Sequence, residues 1–172
     1  MTHSTLLDSP LGPIYAEAGE KGICTLRFSQ TSAGRDASAL VRPALPTDLR
    51  ELARQMEEYW AGARRAFDLP LDLRGTEFEL RVWRAIAGVP FGQTRSYAEI
   101  ARDAGAPRAF RAVGRAVGRN PVGLVVPCHR IVGSDGGLHG YGGGLERKRW
   151  LLEHEGHGAE LFPEIPGLCA VR

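Results

Sequence analysis

Cys128, preceded by Pro127 and followed directly by His129 and Arg130, is the position in this 172-residue chain whose neighbours best suit chemistry. A thiolate is a soft nucleophile, and cationic or imidazole neighbours lower a thiol pKa and raise the thiolate fraction. A buried cysteine is more often a small hydrophobe than a reactive group. The setting of Cys128, at the exit of the apolar run Val122–Val126 and beside a histidine, favours a nucleophile. His129 can serve as general base, directly or through a water, and a base needs a group that orients and charge-stabilises it. Glu155 is the candidate, because it falls at the C-terminal end of an expected helix, where the macrodipole disfavours an acid. Adjacent residues of a regular strand point to opposite faces. Cys128 and His129 therefore cooperate only if the chain turns there, and Pro127 favours a departure from a strand ladder.

The elements that must position these residues follow from periodicity and turn chemistry. Thr5–Leu7, Ile14–Ala18 and Ile23–Phe28 read as short strands separated by turn-rich segments. Residues 29–46 read as a loop. A helix from Asp48 to Ala61 follows, with Leu49, Leu52, Ala53, Met56, Tyr59 and Trp60 on one face and Thr47 as its N-cap. Ala66–Leu71 reads as a further strand. Thr76–Glu79 and Ser96–Glu99 are capping-box patterns, each opening a helix. The second of these helices stops at Gly105, and Pro107 suits the first position of another that runs to about Gly118. Two short helices around a glycine-containing turn make a helix-turn-helix pattern. Val122–Val126 reads as a buried strand, residues 133–144 as a glycine-rich loop, and Leu145–Glu155 as the last helix, closed by Gly156. The fold class is α/β. A small N-terminal sheet-plus-helix domain, residues 1–74, precedes a mostly helical C-terminal domain, residues 75–172, that holds the helix-turn-helix and the reactive cysteine.

Charge separates the two halves. Residues 1–73 carry 8 basic and 10 acidic side chains, whereas residues 74–155 carry 13 and 8. Within the second stretch, Arg95, Arg102, Arg108, Arg111, Arg115, Arg119 and Arg130 have only Glu99 and Asp103 as acidic neighbours. Such a field suits a polyanion, and equally a solvated helix face. Gly114 and Gly118 each cost about 1 kcal/mol relative to alanine inside a helix, which points to close approach of another backbone, either a sugar-phosphate chain or a neighbouring helix. Cys24, Cys128 and Cys169 are odd in number and contain no CxxC pair, so neither a disulfide framework nor a cysteine-rich zinc site is expected. Free thiols fit a reducing compartment. With no run of about 20 apolar residues and no signal-peptide pattern at the start, a cytoplasmic location is the expectation.

Pro127-Cys128-His129-Arg130, preceded by Arg111-Ala112-Val113-Gly114 and Asn120-Pro121, resembles the methylated-DNA–protein-cysteine methyltransferases, the O6-alkylguanine-DNA alkyltransferases. Gly75-Thr76, Val82-Trp83, Ser96-Tyr97, Gly140-Tyr141 and His154-Glu155-Gly156 extend the resemblance in order over residues 75–156. It implies that Cys128 accepts an alkyl group irreversibly from guanine O6, and from thymine O4, with no cofactor. His129 would activate the thiol through a water, Glu155 would complete the relay, and Asn120 would hold the active-site turn. Tyr97 would lie by the target nucleotide and Arg111 would enter the base stack. Ala112, Gly114 and Arg119 would face the DNA, and Tyr141, Val132 and Gly142 would line the guanine pocket. The partner implied is double-stranded DNA with the base flipped out, bound by a monomer in solution that assembles cooperatively on DNA. Gly142 departs from members with serine there, so a donor to O6 is lost and tolerance of bulky alkyl groups changes. No metal is implied, since Cys24 has no partner cysteine. Two other classes remain at this point. One is a non-catalytic binder of alkylated DNA, against which Cys128 itself argues. The other is a cysteine hydrolase, against which the arginine-bearing helix pair argues.

Overall fold

The computed structural model describes residues 1–29 and 45–157. Nearly all of the expected loop over 29–46, and Cys169, lie outside the described residues.

The N-terminal strands β1 (His3–Leu7), β2 (Ile14–Gly19) and β3 (Gly22–Phe28) form an antiparallel meander in the order β1-β2-β3. Leu7 lies opposite Ile14, and Ile14 opposite Phe28. Period-two alternation turns Thr5 and Leu7, then Ile14, Ala16 and Ala18, toward the core. Helix α1 (Thr47–Trp60) covers that face with Leu49, Leu52, Ala53, Met56 and Tyr59. Thr47 is its first residue and not its N-cap. Pro46 occupies the cap, its extended conformation leading the chain in, while the Thr47 hydroxyl accepts from Arg50 Nη2 at 3.4 Å.

The strand expected over Ala66–Leu71 is reduced to one parallel bridge between Leu71 and Ile23. Ile23 N–H donates to Pro70 O and Asp72 N–H to Ile23 O, at 2.8 and 2.9 Å. The ladder stops there because Pro70 has no N–H to give. The approach is close enough to require glycine at position 22, where a Cβ would fall 2.2 Å from Pro70 O and φ is +128°.

The C-terminal domain packs α2 (Glu77–Ala87), α3 (Tyr97–Asp103) and α4 (Phe110–Gly118) around Val82, Trp83, Ile86, Ile100 and Val113, and ends in α5 (Leu145–His154). Both capping boxes form: Glu79 N–H donates to Thr76 Oγ1 and Glu99 N–H to Ser96 Oγ, each at 3.2 Å, and each glutamate reaches back to its cap residue. A short parallel pair, β4 (Arg95–Ser96) and β5 (Ile131–Val132), ties the start of α3 to the segment after Cys128.

Two further expectations are corrected. Helix α4 begins at Phe110 and not at Pro107, which instead takes the second position of a turn closed by Ala109 N–H on Ala106 O at 2.9 Å. The fixed φ of proline suits that position as well as the start of a helix. Val122–Val126 is not a strand. Val122 alone bridges to Leu26, and the chain then turns, with Val126 N–H on Val122 O at 3.0 Å and Leu124 at φ 69°. An apolar run announces burial but not conformation. Among the described residues, no helix is long and apolar enough to cross a membrane.

Candidate active site

The site is built on the turn after α4. Asn120 donates through Nδ2 to Val126 O at 2.7 Å and accepts Val122 N–H on Oδ1 at 3.1 Å, so one side chain staples both ends of the reversal. After Pro127 the chain enters a single 3-10 turn, Cys128–Arg130, with Arg130 N–H on Pro127 O at 2.9 Å. This is the bend that cooperation between Cys128 and His129 demands. All three side chains of the turn are buried.

Glu155 caps the C-terminal end of α5, and its side chain is buried. Its Oε1 faces His129 Nε2 at 2.8 Å and accepts from Tyr59 Oη at 2.8 Å and Arg130 Nη2 at 2.9 Å. Its Oε2 accepts from Arg130 Nε at 2.7 Å and Gly92 N–H at 3.3 Å. Burial pushes this carboxyl up, but the hydrogen bonds from His129 and Arg130 outweigh burial and hold it well below the usual carboxylate range. An ionised carboxylate only accepts, so His129 carries its proton on Nε2 and presents the Nδ1 lone pair. Nδ1 is buried without a hydrogen-bond partner. Burial holds the His129 pKa below the usual imidazole value, so the ring is neutral and able to take a proton.

Cys128 departs from expectation. Burial raises its thiol pKa, with the Asn120 side chain and Lys148 acting in the opposite direction. Arg130, expected to depress the thiol pKa and to contribute to a surface field, is buried and spends its guanidinium on Glu155 and Val89 O. The thiol is therefore protonated at rest, which makes a neighbouring base necessary.

The second rank of residues is placed as follows. Tyr97, the first residue of α3, donates to His139 O at 3.1 Å. A cavity of about 750 Å³ is lined by Cys128, Asn120, Tyr141 and Gly142, with Tyr15 and Phe28 contributed by the N-terminal sheet. A Cβ at Gly142 would meet nothing within 4 Å. Val132 is not brought to this cavity. It packs on Leu152 and Leu138, while its neighbour Ile131 shares a cluster with Cys128.

On α4, Arg111 is exposed in the first turn, next to Phe110, which is 54% exposed. Ion pairs occupy Arg95, through Glu99, and Arg119, through Glu79, and leave Arg102, Arg108, Arg111 and Arg115 exposed outside the ion pairs of the described residues. A Cβ at Gly114 or Gly118 would meet nothing within 4 Å, so no neighbouring helix requires either glycine. Ala112 is half-buried on the same helix.

Two residues of the site escaped sequence reasoning. Lys148 is fully buried and donates through Nζ to Ile131 O at 2.5 Å and His139 O at 2.9 Å. Burial lowers its pKa to about 8, with Cys128 acting against that shift. Between Arg147 and Arg149 it reads as one more surface cation. Tyr59 reads as an apolar stripe residue, and no local signal tells that its hydroxyl meets a carboxylate.

Comparison with known proteins identifies the family. Residues 77–157 match the family model described as 6-O-methylguanine DNA methyltransferase, DNA binding domain, and residues 2–73 match the ribonuclease-like domain of the same enzymes. The chain belongs to the methylated-DNA–protein-cysteine methyltransferase family. A family member from Methanosarcina barkeri is 44% identical over 157 residues, covering 87% of this chain and 94% of the relative. The crystal structure of the Mycobacterium tuberculosis O6-methylguanine methyltransferase superposes with a TM-score of 0.77 at 46% identity, covering 90% of this chain and 93% of that one. The Mycobacterium tuberculosis OGT in complex with DNA gives a TM-score of 0.77 at 44% identity, with 89% and 92% covered. The family's two-part order, a small sheet-and-helix domain followed by a helical domain bearing the cysteine, is the order found here.

Proposed function

We propose that this protein repairs DNA by moving an alkyl group from guanine O6 to Sγ of Cys128, once per molecule. The observation that carries the reading is a buried thiol followed in the chain by a buried imidazole whose Nε2 is fixed on Glu155 and whose Nδ1 is unpartnered. His129 Nδ1 takes the thiol proton, directly or through a water, and Glu155 stabilises the imidazolium. The thiolate attacks the alkyl carbon, an S–C bond forms, and the C–O bond breaks with its electron pair passing to the base. The departing guanine gains a proton, matching the one the thiol lost. A thioether has no easy way back, so the protein is consumed.

An alkyl carbon inside a stacked pair is out of reach of a thiolate, so the nucleotide must leave the duplex. Arg108, Arg111 and Arg115 on and before α4 supply the polyanion-binding face, with Ala112, Gly114 and Arg119 beside them. The open space over Gly114 and Gly118 favours a sugar-phosphate backbone as the group that approaches there. Arg111 fills the vacated stack and Tyr97 guides the nucleotide. The base enters the cavity against Tyr141 and Gly142, while Asn120 keeps the turn in shape. The same chemistry extends to thymine O4. A relative solved with DNA, and the match of residues 77–157 to a DNA-binding domain, support the partner. We place the domain boundary at Gly75, and propose that the protein works in the cytoplasm, as a monomer that gathers cooperatively on DNA.

The test is incubation with a duplex carrying O6-methylguanine, followed by mass spectrometry. One methyl group is expected on the peptide that holds Cys128, none on that of Cys24 or Cys169, and none anywhere in a Cys128→Ala variant that still binds the duplex. An unmodified Cys128 on a tightly bound duplex would mean a binding protein, and demethylation with repeated turnover would mean a hydrolase.

A further inference from the structure

Glu155 is approached from both domains. Four of its five hydrogen bonds come from the C-terminal domain, through His129, Arg130 twice, and the Gly92 amide. The fifth comes from Tyr59 near the end of α1, 96 residues away in sequence, whose hydroxyl donates to Oε1 at 2.8 Å. Oε1 is also the atom that holds His129 Nε2. Tyr59 has little freedom to do anything else. It is 1% exposed, its ring is held among Trp60, Phe67, Phe91 and His154 at centroid distances of 5.0 to 6.2 Å, and its carbonyl is bound to His154 Nε2 at 2.8 Å. Burial, with Glu155 alongside, pushes its phenol far above the usual range, so it donates and does not ionise.

We infer that Tyr59 is a positioning residue for alkyl transfer, through which the N-terminal domain sets the basicity of His129. The inference rests on the relay proposed above. An anionic oxygen shared among several donors presents less charge to each of them. With Tyr59 in place, Oε1 divides its charge among three donors. The charged groups that act on His129 are Glu155 and Lys148 from α5 and its end, and Arg130 from its own turn. Burial holds its pKa down, Glu155 opposes that, and Arg130 and Lys148 add to it. Removing the Tyr59 hydroxyl strengthens the one group that favours imidazolium. The His129 pKa then rises, and at a given pH less of the ring is free to accept the thiol proton.

Tyr59→Phe tests this directly, since it keeps the ring and its aromatic packing and leaves no buried donor unpaired. Single-turnover transfer from an O6-methylguanine duplex is followed from about pH 4 to about pH 9, reaching below the ordinary histidine range because burial lowers the His129 pKa. The acid limb of the rate profile moves to higher pH in the variant. The variant is slower by roughly threefold to tenfold at the acid end, as a pKa rise of about half a unit to one unit requires, and converges on wild type at the alkaline end. A ratio of rates that is flat in pH, or superimposed profiles, overturns the inference, because a purely structural role scales the rate without moving the limb. His129→Ala is measured in parallel. In that variant the break set by His129 should vanish, leaving a rate that climbs steadily toward the raised thiol pKa; if the break survives, the relay itself is wrong. If His129→Ala removes the break and Tyr59→Phe leaves it where wild type has it, only the role of Tyr59 fails. Iodoacetamide labelling of Cys128 on the folded protein over the same range reads the same limb without DNA, so weak DNA binding by the variant cannot mask the result.

Discussion

Replacing Glu155 by glutamine should unfold the protein earlier and disable transfer, and the structure says why the two losses come together. The carboxylate is the shared acceptor of His129, Tyr59, Gly92 and the Nε and Nη2 of Arg130, and its side chain is fully excluded from solvent. Glutamine keeps the shape but removes the charge and turns an NH₂ group toward groups that are themselves donors. Arg130 is then a buried cation without its anion. Breaking one member of a buried pair costs about 3–5 kcal/mol, which for a protein of this size corresponds to a melting temperature lower by roughly 6–20 °C. The rate falls by roughly a hundredfold or more, the scale of a lost general base. The pH dependence has a definite sign. The folded pKa of Glu155 is depressed, so its contribution is complete above the unfolded value of about 4.3 and is lost as pH falls through the folded value. The gap in melting temperature between wild type and variant is therefore widest near neutrality and narrows on strong acidification. Calorimetry over a pH series, with single-turnover kinetics at neutral pH, measures both. A variant that melts within about 2 °C of wild type, or a gap that does not change with pH, would refute the account of Glu155 as the charged hub.

Three further outcomes follow. In His129→Ala, transfer should be slow at neutral pH and recover as pH rises toward the elevated thiol pKa, since burial raises that pKa and hydroxide replaces the lost base; a rate flat in pH would point to a misfolded turn. Arg111→Ala should slow repair of duplex far more than reaction with an alkylguanine in a short single strand, because only the duplex leaves a gap to fill at a cost of a few kcal/mol; equal losses on both substrates would remove the stacking role. Gly142→Ser should change the melting temperature little, within about 0.5 kcal/mol in stability, because a Cβ there meets nothing within 4 Å, and it should shift the ratio of rates for methyl and benzyl substrates; an unchanged ratio would mean the position does not face the alkylated base.

What could be read from the chain alone was whatever is local. The two capping boxes depend on residues three apart, and both formed. The strands of the meander and the stripe of α1 rest on short periods, and they held to within a residue or two. Glu155 was legible because an acid at the C-terminal end of a helix opposes the macrodipole, a local anomaly that asks for a distant partner. Two of the errors were also local ambiguities. Proline suits a turn as well as a helix start, and an apolar run is buried whether it is strand or turn, so Pro107 and Val122–Val126 were misplaced.

The tertiary structure decided which groups share a carboxylate. Arg130 looked like part of a basic surface until the fold paired it with Glu155, and Lys148 is chemically the same residue as any exposed lysine until its Nζ is enclosed by two carbonyls. Tyr59 lies in another domain from the turn it serves, at a sequence separation no periodicity reports. Burial, which depends on the packing of both domains, reversed the sign expected for the Cys128 thiol. Residue types and short spacings singled out Cys128 and His129, but desolvation and long-range hydrogen bonding, which exist only in the folded chain, set the surroundings in which both side chains titrate.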